Sequence, residues 1–348
     1  MRQVVVALMV SGCFFKPSPE RSNGDDAGSI DAVDLDAPPR MHDGAYRDTN
    51  YIFVSPMPVQ SIGTTTTKEL TDLCTGWASG LGLARSDQYI AAVQHTGDPQ
   101  VSELIGAETV GFYRLDDQPV GSAWSDMTAG KILYPPNIDL NGAPVAFQVF
   151  TGIDLGISGT QGNDCSLGQG RFGFSFAGGR SWLSERADRT CNPAEYFYCV
   201  GRGANDPLGP VASPPNAQLA WITVGATFNG KDVATTTNCN GLPNATVLAY
   251  NSSGQLINTP QGGPWYRADG VNLGMSLEQP AAPITTTDGG GYVADTETAW
   301  LGHSNVTCTN WSTMDNVTKG TVVTIDNPVG STAQPTCNTP HHLICFQQ

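Results

Sequence analysis

CNPAEYFYCVGRG at 191–203 and CNTPHHLICFQQ at 337–348 end two halves of this chain in the same way. Each opens on a cysteine and carries a second one eight residues on, Cys191 with Cys199 and Cys337 with Cys345. Upstream of each pair stand two more, Cys74 and Cys165 in one half, Cys239 and Cys308 in the other. Eight of the nine cysteines therefore fall into two sets of four. A fixed last spacing with variable earlier ones is the mark of a duplicated domain with two disulfides per copy. Spacing alone leaves three pairings open within each set. An even set fits an oxidising compartment outside the cytoplasm.

Other landmarks recur in the same order. YIFVS (51–55) reads as a strand and is matched by LAWITV (219–224). TTTKELTDLCTGWASGLGL (65–83) reads as a helix, with Leu70, Leu73, Cys74, Trp77 and Leu81 on one face and a threonine cap near Thr66. YIAAVQ (89–94) is matched by VLAY (247–250), and Tyr113-Arg114-Leu115-Asp116 by Tyr266-Arg267-Ala268-Asp269. DLNG (139–142) pairs with TTDGGG (286–291), and Phe150-Thr151-Gly152 with Trp300-Leu301-Gly302. Short strands between Gly, Pro, Asn and Asp turns make up the rest, among them KILY, VAFQVF, RFGFSF and EYFYCV. The second copy is shorter around its first cysteine, which predicts a lost helical turn or helix there.

These landmarks resemble the C-type lectin-like fold. They are more similar still to an endostatin-related bacterial domain family of unknown function, found in secreted proteins and lipoproteins. The residues that carry the resemblance are the first strand, the helix with Cys74, the YR-D turn, SAWSDMTAG with PPNIDLNG, the strand before Gly152, and the last strand ending in Cys345-Phe346. It covers nearly all of 50–348, in two copies. It implies an α+β chain of two tandem C-type lectin-like (endostatin-like) domains, with short antiparallel strands, few helices and two disulfides each. It also implies that first pairs with fourth and second with third: Cys74–Cys199, Cys165–Cys191, Cys239–Cys345 and Cys308–Cys337.

The ends and the linker complete the organisation. MRQVVVALMVSGC (1–13) has a positive start, a short apolar run and Val10-Ser11-Gly12-Cys13, which resembles the lipobox of bacterial lipoproteins. That resemblance implies lipidation of Cys13 and a place in the bacterial cell envelope, at the outer membrane or cell surface. Residues 14–48 are rich in Asp, Ser, Pro and Gly without an apolar period and read as a disordered acidic tether. The expected domains are 49–203 and 218–348, joined by the Pro-rich segment ANDPLGPVASPPNA (204–217).

Composition narrows function. The net charge is −15 and there is no basic patch, which argues against nucleic acid as a partner. Membrane contact is expected through the lipid anchor alone. No G-x-S-x-G or H-E-x-x-H occurs, so no enzyme is expected. Sugar-binding members of the lectin-like fold hold calcium with a Glu-Pro-Asn or Gln-Pro-Asp loop and a Trp-Asn-Asp strand. Neither SERADRT before Cys191 nor VGSTAQPT before Cys337 supplies the last, so no calcium, and no other cofactor, is expected. The adjacent His341 and His342 point to opposite faces and read as a solvated pair, not a zinc site.

The resemblance directs attention to the long loop 168–189, GQGRFGFSFAGGRSWLSERADR. Arg171, Arg180 and Trp182 are its candidate ligand contacts, since guanidinium and indole groups dominate recognition sites. Arg180 and Trp182, after Gly178-Gly179, read as an exposed tip, whereas Phe172, Phe174 and Phe176 alternate and read as one core-facing strand side. The expectation is a calcium-independent recognition or adhesion module for an extracellular protein or glycan. The alternative is a structural envelope protein without a specific ligand. Five N-x-S/T sequons, at Asn244, Asn251, Asn305, Asn310 and Asn316, read as Asn/Thr-rich loops.

Overall fold

A computed structural model describes residues 46–347, apart from 147, 154–164, 166–168, 185–188, 192–193, 210, 226, 235–238, 240–243, 279, 294–296, 303–305 and 326. Cys13, residues 14–45 and Asn305 lie outside the described residues. The first half runs β1 (Asn50–Val54), β2 (Val59–Gln60), α1 (Thr67–Gly80), β3 (Ile90–Ala91), α2 (Val101–Ile105), β4 (Val110–Arg114), β5 (Pro119–Ala123), α3 (Trp124–Thr128), β6 (Gln148–Phe150), β7 (Gln169–Gly170), β8 (Phe172–Phe174), β9 (Arg189–Thr190), β10 (Ala194–Glu195) and β11 (Tyr198–Val200). The second runs β12 (Gln218–Ile222), β13 (Ala245–Val247), β14 (Trp265–Arg267), β15 (Asn272–Gly274), β16 (Thr298–Trp300), β17 (Val322–Thr324), β18 (Asn327–Ala333) and β19 (His342–Gln347). The chain is thus a mixed α+β structure with few helices and many short strands in small sheets.

β1 is buried along its whole length. It is a central strand, antiparallel to β11 on one side and parallel to β4 on the other. A strand covered on both faces needs an unbroken apolar run, and YIFV provides it. Tyr51 and Phe53 join Leu70, Cys74 and Ala78 of α1 in one core; Ile52 and Val54 join Trp124, Met127, Trp182 and Tyr198 in the other. β12 repeats this position, parallel to β14 and antiparallel to β19. Registers agree residue by residue: Tyr51 faces Tyr113 and Leu219 faces Tyr266, while Phe53 faces Cys199 and Trp221 faces Cys345. The carbonyl of Arg171 accepts from the Thr151 and Gly152 N–H groups, and that of Thr321 accepts from Leu301 and Gly302 in the same way. The turns at 139–143 and 287–291 also close with matching bonds. KILY (131–134) is not a strand; its backbone hangs on β5 through Leu133 and Tyr134 N–H.

All four disulfides have the connectivity that the resemblance implied, Cys74–Cys199, Cys165–Cys191, Cys239–Cys345 and Cys308–Cys337. Cys74–Cys199 ties α1 to β11. The helix begins on a reciprocal cap: Thr66 Oγ1 accepts from Glu69 N–H, and the Glu69 carboxylate accepts from Thr66 N–H. Its buried face is Leu70, Cys74 and Ala78. The expected stripe is therefore rotated: Leu73 is 38% exposed, and Trp77 and Leu81 flank the core half-buried. In the second half the described residues of this region hold one 3-10 turn, Gly230–Ala234, in place of the helix.

The second YR-D turn, with Tyr134 of the first half, builds a seam between the halves. Arg114 clasps Asp116 bidentately and reaches Asn137 Oδ1 at 2.8 Å and the Pro135 carbonyl. Arg267 clasps Asp269 likewise, and donates to Pro283 O and Thr285 Oγ1 at 2.9 and 3.0 Å. It also donates across the seam to Ile132 O at 3.2 Å. Tyr134 of the first half enters the apolar core of the second, and its hydroxyl accepts from Asn272 N–H at 2.8 Å. Gly178 packs so close to Pro283 that a Cβ there would lie 2.9 Å from the ring. The segment between the halves is held at both ends, by the Asn50 amide on Ala204 and by Ser213 on the Arg267 carbonyl.

Candidate functional site

The long loop of the first half does not present its expected tip. Trp182 is fully buried: its Nε1 donates to Met127 O at 3.2 Å, and its ring packs on Trp124 and Tyr198 at 5.6 and 5.4 Å. Tyr198 donates to the Trp182 carbonyl. Gly173 of β8 permits this approach, since a Cβ there would come within 1.9 Å of that carbonyl. Arg171 is also fully buried, beneath the strand end it anchors with its carbonyl. Arg180 is half-buried, and its carbonyl caps the turn that carries Trp182 inward. The exposed-tip expectation for Arg180 and Trp182 therefore fails at Trp182, and the candidate contact Arg171 is buried as well: the loop folds back over the sheet, where burying the indole outweighs exposing it. Of the three phenylalanines only Phe172 is buried; Phe174 and Phe176 are half-buried and pack on each other.

The corresponding face of the second half contains a cavity of about 70 Å³. Its wall is made of Ile222, Leu248, Leu277, Ile284, Val323, Ile325 and Ile344, all buried. Half-buried Tyr250, Pro280 and Leu301 and exposed Glu278 form its mouth. Strand register shows what it corresponds to. Ile344 stands where Tyr198 does, each paired with the last residue of its central strand. Val323 stands where Gly173 does. Leu277 follows the paired Gly274 as Trp124 follows the paired Gly121. These are the positions that enclose Trp182 in the first half. Among the described residues, the second half offers no side chain to take its place.

The mouth is electrostatically simple. Among the described residues of the lining, Glu278 is the single charged group. Burial first, and then the Glu278 charge, push the Tyr250 phenol above its usual value. An empty apolar cavity of about 70 Å³ costs about 2 kcal/mol at the usual price per unit volume.

Two polar clusters escaped the sequence reading. Thr67 Oγ1 lies 3.0 Å from His95 Nδ1 and also bonds the Asp98 carboxylate, while His95 Nε2 donates to the Ile62 carbonyl. This is not a hydrolytic triad, because the carboxylate is not on the ring nitrogen opposite the hydroxyl. It fastens the start of α1 to the loop after β3. The paired histidines are not solvated either. His342 is buried, with Nδ1 donating to Thr223 O at 2.7 Å. His341 stacks edge-on against Trp300 and sits 2.6 Å from Thr298 Oγ1; burial, then the neighbouring His342, holds it below its ordinary value. Among the described residues no three His, Cys, Asp or Glu side chains converge as metal ligands, and no helix is long and apolar enough to cross a membrane. No protein-family model matches the chain, and no curated protein sequence matches it.

Proposed function

We propose that this chain is a lipid-anchored bacterial envelope protein of two C-type lectin-like, endostatin-like domains, and that it acts as a calcium-independent recognition module for an extracellular protein or glycan. The repeated strand registers and the first-to-fourth, second-to-third disulfides support the domain reading. Val10-Ser11-Gly12-Cys13 and the acidic segment after it support the anchor. The observation that carries recognition is the apolar cavity of the second half, kept open where the first half fills the same place with its own tryptophan. The test is binding of the intact chain to arrays of secreted proteins and envelope glycans in EDTA, beside an Ile344→Phe, Val323→Leu variant. Partners should bind the parent with the chelator present and be lost by the variant. A parent that binds nothing leaves the structural reading ahead, and the buried Arg267 and Tyr134 seam is what favours that second reading.

A further inference from the structure

We propose that the cavity of the second half receives a branched aliphatic side chain, Leu, Ile or Val, from a basic peptide segment of a partner protein. This rests on the recognition reading and narrows it to one kind of partner. Size comes first. A dry cavity of roughly 150 Å³ admits benzene, and this one is about 70 Å³. It suits a side chain of roughly three or four carbons and excludes an indole. The described wall side chains, from Ile222 and Leu248 to Val323 and Ile344, are aliphatic and carry no donor or acceptor. A sugar placed there would leave its hydroxyls unpaired, at a cost that disfavours it strongly.

Charge then selects the surroundings of that side chain. Among its described residues the lining holds one ionised group, the carboxylate of Glu278, and it stands exposed at the mouth. The whole chain carries 32 acidic against 17 basic residues. An approaching acidic segment meets repulsion from both, whereas lysines or arginines flanking the inserted residue are drawn in and can pair with Glu278.

The internal comparison supplies the reason for insertion from outside. The first half satisfies this place in its own chain, with Trp182 delivered by a loop that needs Gly173 beneath it. The second half has Val323 there, so a loop backbone cannot close down in the same manner. Its site is shaped for a smaller group arriving through the mouth between Tyr250 and Glu278.

The experiment uses the intact chain with methyl-labelled Ile, Leu and Val, titrated with the peptide acetyl-Lys-Lys-Ser-Leu-Ser-Lys-Lys-amide. Saturable shifts are expected at the methyls of Ile222, Ile284 and Ile344. Replacing the peptide leucine by alanine should weaken binding by on the order of tenfold or more. Replacing its lysines by glutamate, or making Glu278→Lys in the protein, should weaken binding several-fold, with a loss of salt dependence. Ile344→Phe should abolish the shifts while the melting temperature stays at or above the parent's. Val323→Leu is the second filling variant if Ile344→Phe does not fold. Equal binding of the leucine and alanine peptides, or parent-like binding by a filled variant, overturns the proposal. If the peptide fails but isobutanol enters the parent and not the filled variant, the basic partner is wrong and the recognition site stands. If neither probe enters, the site and the recognition reading fall together.

Discussion

In the first half, Trp182, Trp124, Met127 and Tyr198 interlock on one face of the central sheet, and the space is full. On the matching face of the second half, Ile344, Val323 and Leu277 surround an opening. The registers of the central strand are the same in both, as are the bonds that Gly152 and Gly302 make. What differs is which segment returns over the sheet and whether α3 is there to meet it. A core and a pocket are thus alternative fillings of one frame, and substitution should be able to exchange them.

The largest effects fall on the filled half. Trp182→Ala should lower stability by about 3–5 kcal/mol, read by urea denaturation, and leave ligand uptake in the second half unchanged. A small loss would mean that Trp182 is not the keystone of that face. Arg267→Met should cost about 3–5 kcal/mol, because it removes the counter-ion of the largely enclosed Asp269 carboxylate together with the bond to Ile132 O. Arg114→Met should cost at least as much, since it leaves the more deeply buried Asp116 carboxylate without its counter-ion. A clearly smaller loss at Arg114 would mean that the bond across the seam, and not carboxylate burial, sets the cost.

The seam also predicts a dependence on pH. Burial pushes the Asp269 carboxyl up, but Arg267 outweighs it and holds the carboxyl below its usual value. A depressed pKa contributes stability above the unfolded value, near 3.9, that is lost as pH falls through the folded one. Acid unfolding should therefore begin below the ordinary carboxylate range, and Asp269→Asn should flatten it. Tyr134 behaves in the opposite sense. Burial raises its phenol to about 12, so its contribution is complete below the unfolded value near 10 and vanishes as pH climbs through about 12. Tyr134→Phe should remove that alkaline limb in a melting series. A limb that persists would place the titration elsewhere.

Smaller effects sharpen the contrast further. Ile344→Phe should stabilise by up to about 2 kcal/mol by filling the cavity, seen as a raised melting temperature. A loss would mean that the walls cannot accommodate a ring. Thr66→Ala should cost about 1 kcal/mol through the lost helix cap, measured by thermal melting.

The paired landmarks, the helix cap and the buried run of β1 were legible in the sequence, because each depends on local chemistry or on order along the chain. The positions of Trp182 and Arg171 were not. Gly178-Gly179 signals a turn, but whether the turn points outward depends on the Met127 carbonyl and on Gly173, neither adjacent in sequence. His342 misled in the same way, since its partner Thr223 is 119 residues distant. The cavity left no signal in the sequence, because its lining residues come from several strands and turns far apart in the chain.

The two long disulfides have a consequence for how the chain survives cutting. Cys74–Cys199 and Cys239–Cys345 close rings with sequence separations of 125 and 106 residues, each with a smaller ring inside it. A protease that nicks any surface loop within a ring changes no connectivity, and the pieces stay one molecule until reduced. Covalent parting of the halves requires a cut between Cys199 and Cys239. Ala204 is buried and held by Asn50, and β12 lies inside the second sheet, but the described residues between them, 205–217, are exposed or half-exposed. A nick inside either ring should therefore leave one covalent body, whereas a nick in the exposed linker 205–217 should part the halves covalently.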